Sequence, residues 1–263
     1  MTLMSSLPVD ALAERLITSA RNRTATTPLT DDHPDLDIAT AYTIQDAVVS
    51  ARQAQGAVVA GAKLGLTSAA KQQQMNVDSP LYGWLTDDML IDTGADLQCE
   101  RYIQPRCEPE IAFLLGRDIA GQDVSAAHVI AATELVFPAI DVLDSRFSGY
   151  KFALPDVVAD NSSCAGYALG GQGTSPVGID LRLVGCAFYK NGQLIASASG
   201  AAVLGHPAAS VAWLVRELAV RGRGLRAGQV VLAGSMTEAI AVSPGDTVTS
   251  RIDRLGSITL ACV

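Results

Sequence analysis

The sequence predicts an α+β protein: a mixed, largely antiparallel β-sheet curled into a barrel-like roll, preceded by an N-terminal helical arm. Three observations lead there. Helical periodicity is concentrated before residue 56, short strand-like runs dominate after it, and two of those runs meet at Asn191-Gly192. Both residues of an Asn-Gly pair tolerate positive φ, which is what a tight type I′ hairpin requires.

Val9, Leu12, Leu16 and Ile17 recur at helical spacing, with Pro8 placed where a helix can begin. A polar stretch over 21–37, carrying Pro28 and Pro34, reads as a loop. Ala41, Ile44, Val48 and Ala51 mark a second amphipathic helix, which Gly56 ends. These two helices define an arm over 1–56, and the main domain occupies 57–263. Within it, strands are expected at 58–66, 110–115, 181–190, 193–199, 229–233, 247–252 and 257–262, with helices at 125–135 and 207–221. Hairpins are more evident than βαβ units, so the sheet should be mainly antiparallel.

Several function classes are excluded early. A net charge of −8 leaves no basic stripe to neutralise a row of phosphates, so no nucleic-acid partner is expected. An anionic substrate would need a local positive centre. Five cysteines, odd in number and without a C-x-x-C pair, argue against a disulfide framework or a zinc knuckle. The first ten residues carry no basic leader, and no run reaches the ~18 apolar residues of a membrane span. A cytoplasmic protein with no membrane partner is the expectation. Nucleotide-binding, zinc-protease and nucleophile-elbow motifs are absent, and the three histidines, His33, His128 and His206, lie far apart.

The sharpest chemical feature is Cys107-Glu108-Pro109-Glu110, running straight into Ile111-Ala112-Phe113-Leu114-Leu115. Residues two apart in a strand share a face, so Glu108 and Glu110 project together. Two carboxylates beside so apolar a run repel each other unless a cation joins them, and a hard divalent ion with oxygen ligands suits the task. The same spacing also fits a strand end whose glutamates face solvent, and spacing by itself leans that way. Asp141 sits in another apolar run, 135–143, and again asks for a cation or a donor. Asp144 reads as the structural partner of Arg146, and His206-Pro207 as a structural junction. Lys63 is a single charge in the apolar segment 58–66, which fits either a buried ion pair or an acid–base or carboxylate-binding group. Its candidate partner is Asp78.

The segments Lys63-Leu64-Gly65-Leu66-Thr67-Ser68, Asn76-Val77-Asp78-Ser79-Pro80-Leu81-Tyr82-Gly83 and Gln104-Pro105-Arg106-Cys107-Glu108-Pro109-Glu110 form an ordered set. Asp144-Ser145-Arg146, Val158-Ala159-Asp160-Asn161, Leu204-Gly205-His206-Pro207 and Pro244-Gly245-Asp246 extend it nearly to the end of the chain. The set resembles the hydratase/decarboxylase branch of the fumarylacetoacetate hydrolase superfamily. The resemblance implies that Glu108, Glu110 and Asp141 hold Mg²⁺ or Mn²⁺. Members usually carry Glu at the third position, so the shorter arm of Asp141 is a departure. It further implies that Lys63 and Asp78 are catalytic, and that Thr67, Asn161, Ser162 and Ser235 fall where substrate is contacted.

The implied activity is that of a metal-dependent lyase acting on 2-oxo and 2-hydroxy dienoic acids of aromatic meta-cleavage catabolism. A 2-oxo acid chelates one metal through its carboxylate and keto oxygens. In 2-oxo-3-hexenedioate the far carboxylate is a vinylogous β-keto acid, and its loss drives electrons onto the keto oxygen. In a hydratase the same chelate makes the chain electrophilic toward water. The segments 150–161 and 200–211, with Leu81, lean toward 2-oxo-3-hexenedioate (4-oxalocrotonate) decarboxylases. Asn161-Ser162-Ser163-Cys164 leans toward 2-hydroxypenta-2,4-dienoate hydratases, the alternative reading. A fumarylpyruvate-type C–C hydrolase ranks below both, since no histidine matches the water-activating position. A catalytically dead scaffold is disfavoured by the full set of carboxylates. The resemblance also implies a homo-oligomer, and an association of decarboxylase with hydratase that passes on an unstable dienol.

Overall fold

The computed structural model describes residues 7–68, 72–73, 77 and 79–263. Helix α1 spans Val9–Asn22 and ends at Arg23, whose left-handed φ of 53° turns the chain away. The stretch expected to be a plain loop also contains a single helical turn, α2, Leu29–Asp32. Helix α3, Ile38–Ala54, is longer than its apolar spacing indicates, because the Asp37 carboxylate caps it by accepting from the Thr40 N–H at 2.7 Å. Its Gln45 is fully buried and its amide donates to the carbonyls of Tyr82 and Val158, each at 2.9 Å. That double bond fastens the helix to the main domain.

Twelve strands follow: β1 Val59–Gly65, β2 Leu81–Thr86, β3 Leu90–Ile91, β4 Arg106–Leu115, β5 Thr133–Leu143, β6 Cys164–Leu169, β7 Gly185–Lys190, β8 Gln193–Ser199, β9 Val230–Ser235, β10 Ile240–Ala241, β11 Thr247–Ile252 and β12 Gly256–Ala261. They form an eight-stranded sheet in the order β2-β1-β9-β4-β5-β6-β3, with β10 added to β4, and a four-stranded sheet β12-β11-β7-β8. Among the described strands only β1 with β9 and β3 with β6 run parallel. The fold is therefore the mixed, largely antiparallel α+β roll expected from the sequence. Asn191 and Gly192 join β7 to β8 with φ of 52° and 77°, the signs a type I′ turn needs.

Helices α4, Ala126–Ala132, α5, Leu154–Ala159, and α6, Pro207–Val220, lie between the later strands. The helix expected over 125–135 stops at Ala132, and Leu135 instead lies in β5, where aromatic and branched neighbours favour a strand. The strand expected from 181 begins at Gly185, because the Asp180 carboxylate accepts from the Arg182 N–H and holds residues 181–183 in a turn. Strand β2 was not expected at all.

The core explains how the site is aimed. Leu12 and Leu16 of α1, Ile44 of α3, Leu64 of β1 and Val211 of α6 share one apolar cluster. Cys107, Ile140, Val142, Phe188 and Leu260 form a second, between the small sheet and the outer face of β4 and β5. Alternation then turns the intervening Glu108 and Asp141 toward the interior of the roll. Among the described residues no helix is long and apolar enough to cross a membrane.

Candidate active site

Strands β4 and β5 pair with Glu108 opposite Asp141 and Glu110 opposite Ala139. Opposed residues leave a sheet on the same face, which brings the three acids together. One oxygen from each of Glu108, Glu110 and Asp141 lies within 4.8 Å of the others. Their exposures are 6 %, 0 % and 0 %, so solvent does not dilute the repulsion.

Lys63 supplies the opposing charge. Its Nζ lies 3.1 Å from Asp141 Oδ2, with both side chains buried. In the strand order, β1 is separated from β5 by three spacings, about 14 Å in a flat sheet. The contact exists because the sheet is curled and the pair bridges its interior. Burial works to lower the Lys63 pKa, but the charges of Asp141, Glu108 and Glu110 outweigh it, and the amine is held protonated above its ordinary value. Glu110 goes the other way: burial first, then Asp141 and Glu108, push its carboxyl well above the usual range. Asp78 lies outside the described residues.

The Gly234 N–H donates to Glu110 Oε2 at 2.6 Å, while Oε1 has no hydrogen-bond partner among the described residues. An orphaned buried oxygen within a triad of carboxylates fits a hard divalent cation, for which an all-oxygen donor set is the natural home. Gly234 has a φ of +112°, and a Cβ there would stand 2.1 Å from Thr67 Oγ1. Glycine is what allows Thr67, buried two residues beyond β1, to lie so close to the backbone at Gly234. Ser235 itself turns its hydroxyl to the Thr237 carbonyl.

Asn161, Ser162 and Ser163 form a short turn ahead of β6, all three at left-handed φ, 49°, 58° and 54°. Consecutive non-glycine residues there are costly and persist only when neighbours enforce them. The Asn161 amide accepts from the Trp84 N–H at 2.7 Å and donates to the Trp84 carbonyl at 2.9 Å, so it serves as a mate to β2. Arg146 forms a buried ion pair with Asp160, just before the turn. This corrects the expected pairing of Arg146 with Asp144. Asp144 instead accepts the backbone N–H groups of Ile103 at 2.9 Å and Gln104 at 2.7 Å, which satisfy it without the guanidinium. His206 caps α6 by accepting from the Ala208 N–H at 2.9 Å.

A cavity of about 380 Å³ opens beside these groups, its lining including Lys63, Glu108, Ser162 and Ser163 together with Arg106, Tyr150 and Phe152. Thr67, Asn161 and Ser235 are not part of this lining. Sequence reading did not single out Arg106, Tyr150, Phe152 or Ser163. The two-residue step from Arg106 to Glu108 was a usable signal; the others reach the cavity only through the tertiary fold.

The family model described as fumarylacetoacetate (FAA) hydrolase C-terminal matches residues 48–262. A 4-oxalocrotonate decarboxylase of Pseudomonas putida is 40% identical over 249 residues, covering 95% of this chain and 94% of the relative. A 2-hydroxyhexa-2,4-dienoate hydratase of Comamonas testosteroni is 39% identical, covering 96% of each. The solved structure of a 4-oxalocrotonate decarboxylase from a Pseudomonas putida strain, complexed with magnesium and adipate, superposes with a TM-score of 0.95 at 37% identity over 100% of both chains.

Proposed function

The chain belongs to the fumarylacetoacetate hydrolase family, in its hydratase/decarboxylase branch, and on that footing we propose that it is a Mg²⁺- or Mn²⁺-dependent decarboxylase of 2-oxo-3-hexenedioate. The observation that carries the reading is the buried Lys63–Asp141 pair standing within the carboxylate triad, beside a cavity of about 380 Å³ that Lys63 and Glu108 line. Glu108, Glu110 and Asp141 would hold the ion, and the unpartnered Oε1 of Glu110 supports that role. A divalent ion bound there supplies a Lewis acid for the keto oxygen of a 2-oxo acid.

The residues do the rest. Lys63, kept protonated by its carboxylate neighbours, presents a proton donor where negative charge gathers. When the C5–C6 bond breaks, its electron pair forms the C4–C5 double bond and the conjugated system shifts onto the C2 oxygen. A proton from Lys63 then completes the dienol, and CO₂ leaves. Ser162, which lines the cavity, is assigned to substrate, and Thr67 and Ser235 to shaping the Glu110 end. Asn161 holds the turn that presents Ser162. Asp78 is assigned as the second acid–base group on the strength of its sequence motif.

Relatives of both reaction types exist, and the chemistry at the oxo end is common to both. A 2-hydroxypentadienoate hydratase is therefore the second reading. Incubating the Mg²⁺-loaded protein with 2-oxo-3-hexenedioate and with 2-hydroxypenta-2,4-dienoate separates them. CO₂ release well above any hydration supports the proposal; hydration without CO₂ transfers it to the hydratase.

Under the same reading, residues 1–56 act as an arm and 57–263 as the catalytic roll, since every assigned group lies in the second segment. The protein works in the cytoplasm as a homo-oligomer, alongside a hydratase that consumes the dienol. Five buried free cysteines suit a reducing compartment. Leu194 and Ile195, 57 % and 47 % exposed on the outer strand β8, offer an apolar edge for a second copy.

A further inference from the structure

We infer that Arg106 is the receptor for the far carboxylate of the substrate, and so makes this site selective for 2-oxo dicarboxylic over 2-oxo monocarboxylic acids. The inference rests on the proposed oxo-acid reading of the site and adds its specificity. Arg106 opens β4, held between Leu143 of β5 and Ala241 of β10. The two-residue period of the strand places it on the face that carries Glu108. It lines the same cavity as Lys63 and Glu108, and among the described residues Lys63 and Arg106 are the cations of that lining. Lys63 is committed to Asp141 at 3.1 Å. Among the described residues, Arg106 has no carboxylate within ion-pair distance. Of the described acids that line the cavity, Glu108 belongs to the triad and Glu238 is exposed.

The guanidinium is also pre-oriented. It lies 3.9 Å above the centre of the Tyr150 ring, and the Tyr150 hydroxyl donates to the Gln104 carbonyl at 3.2 Å, which fixes the ring. A stacked guanidinium keeps its planar edge of N–H donors free, the geometry that receives a carboxylate through two parallel bonds. Two residues of strand span roughly 6.7 Å, comparable to an extended six-carbon diacid. A substrate with its oxo-acid end at the triad thus brings its far carboxylate to Arg106. A bond to the carboxylate that departs does not favour its departure, so Arg106 acts on binding and selectivity more than on the bond-breaking step.

The test uses two unreactive probes alike at the oxo end, 2-oxoadipate and 2-oxohexanoate, titrated calorimetrically into the Mg²⁺-loaded protein. The parent should bind 2-oxoadipate roughly ten- to a hundredfold more tightly, the scale of charge-assisted hydrogen bonds. Arg106→Met should abolish that preference while changing 2-oxohexanoate binding little, and Arg106→Lys should restore part of it. Arg106→Gln, which keeps a polar group over Tyr150, should behave like the Met variant and serves if that one does not fold. A parent without the preference, or variants that retain it, overturns the inference. CO₂ release from 2-oxo-3-hexenedioate by the same parent preparation reports on the decarboxylase reading independently, so the two failures are told apart.

Discussion

At Lys63, one buried amine answers to three carboxylates. Its contact with Asp141 keeps it charged in a place where burial alone would strip the proton. Replacing it with methionine removes the donor and the positive charge that touches Asp141. Lys63→Met should lower kcat by about 10²-fold or more, the usual scale of an acid–base group. Mg²⁺ affinity, read by calorimetry, should hold or rise, because a positive charge in direct contact with Asp141 is gone. Loss of metal binding in this variant would show that Lys63 builds the site rather than working in it. Glu108→Gln is the converse case. It should abolish metal-dependent turnover and Mg²⁺ binding with the far-UV spectrum unchanged.

The turn over 161–163 shows how an element can be strained and still serve. Three left-handed residues in a row would relax in isolation; here the Asn161 amide takes both backbone groups of Trp84, and the Arg146–Asp160 pair anchors the other side. Asn161→Ala would orphan a buried N–H and a buried carbonyl, at a cost of about 2–4 kcal/mol in urea unfolding. Ser162→Gly should separate strain from chemistry. Glycine accepts a φ of 58° without penalty but frees the unfolded chain, so stability should stay within about 1 kcal/mol of the parent. The lost hydroxyl should still lower kcat/KM by roughly three- to tenfold, the worth of one hydrogen bond. An unchanged kcat/KM would remove Ser162 from the substrate contacts.

For the molecule as a whole, the proposed metal site makes the triad a fault line that a bound cation would repair. Its three carboxylates come from neighbouring strands at the centre of the large sheet, so their repulsion bears on the roll itself. A ligand at 100 times its Kd adds about 2.7 kcal/mol to the folded state. For a chain of this size, chelation should therefore lower Tm by roughly 5–10 °C, and added Mg²⁺ should restore it. In Glu108→Gln the Tm should no longer respond to Mg²⁺. A parent Tm indifferent to chelator would argue against a metal in the triad.

Local pattern carried much of this protein. The Asn191-Gly192 hairpin, the helices of α1 and α3 and the strand character around Glu108-Pro109-Glu110 depend on turn chemistry and on periods of 3.6 and 2, which neighbours in sequence set by themselves. The ordered motifs, too, are a property of the chain alone. Distant residues decided the rest. Strand β2 has every residue buried, and a strand buried on both faces shows no alternation to read. The partner of Lys63 depends on the curl of the sheet, which folds some 14 Å of strand spacing onto one contact and which no spacing encodes. Arg146 chose Asp160 over its near neighbour Asp144 because backbone N–H groups from residues 103 and 104 had already satisfied the latter. A buried polar group takes whichever partner the packed structure brings within reach, and that choice is made in three dimensions.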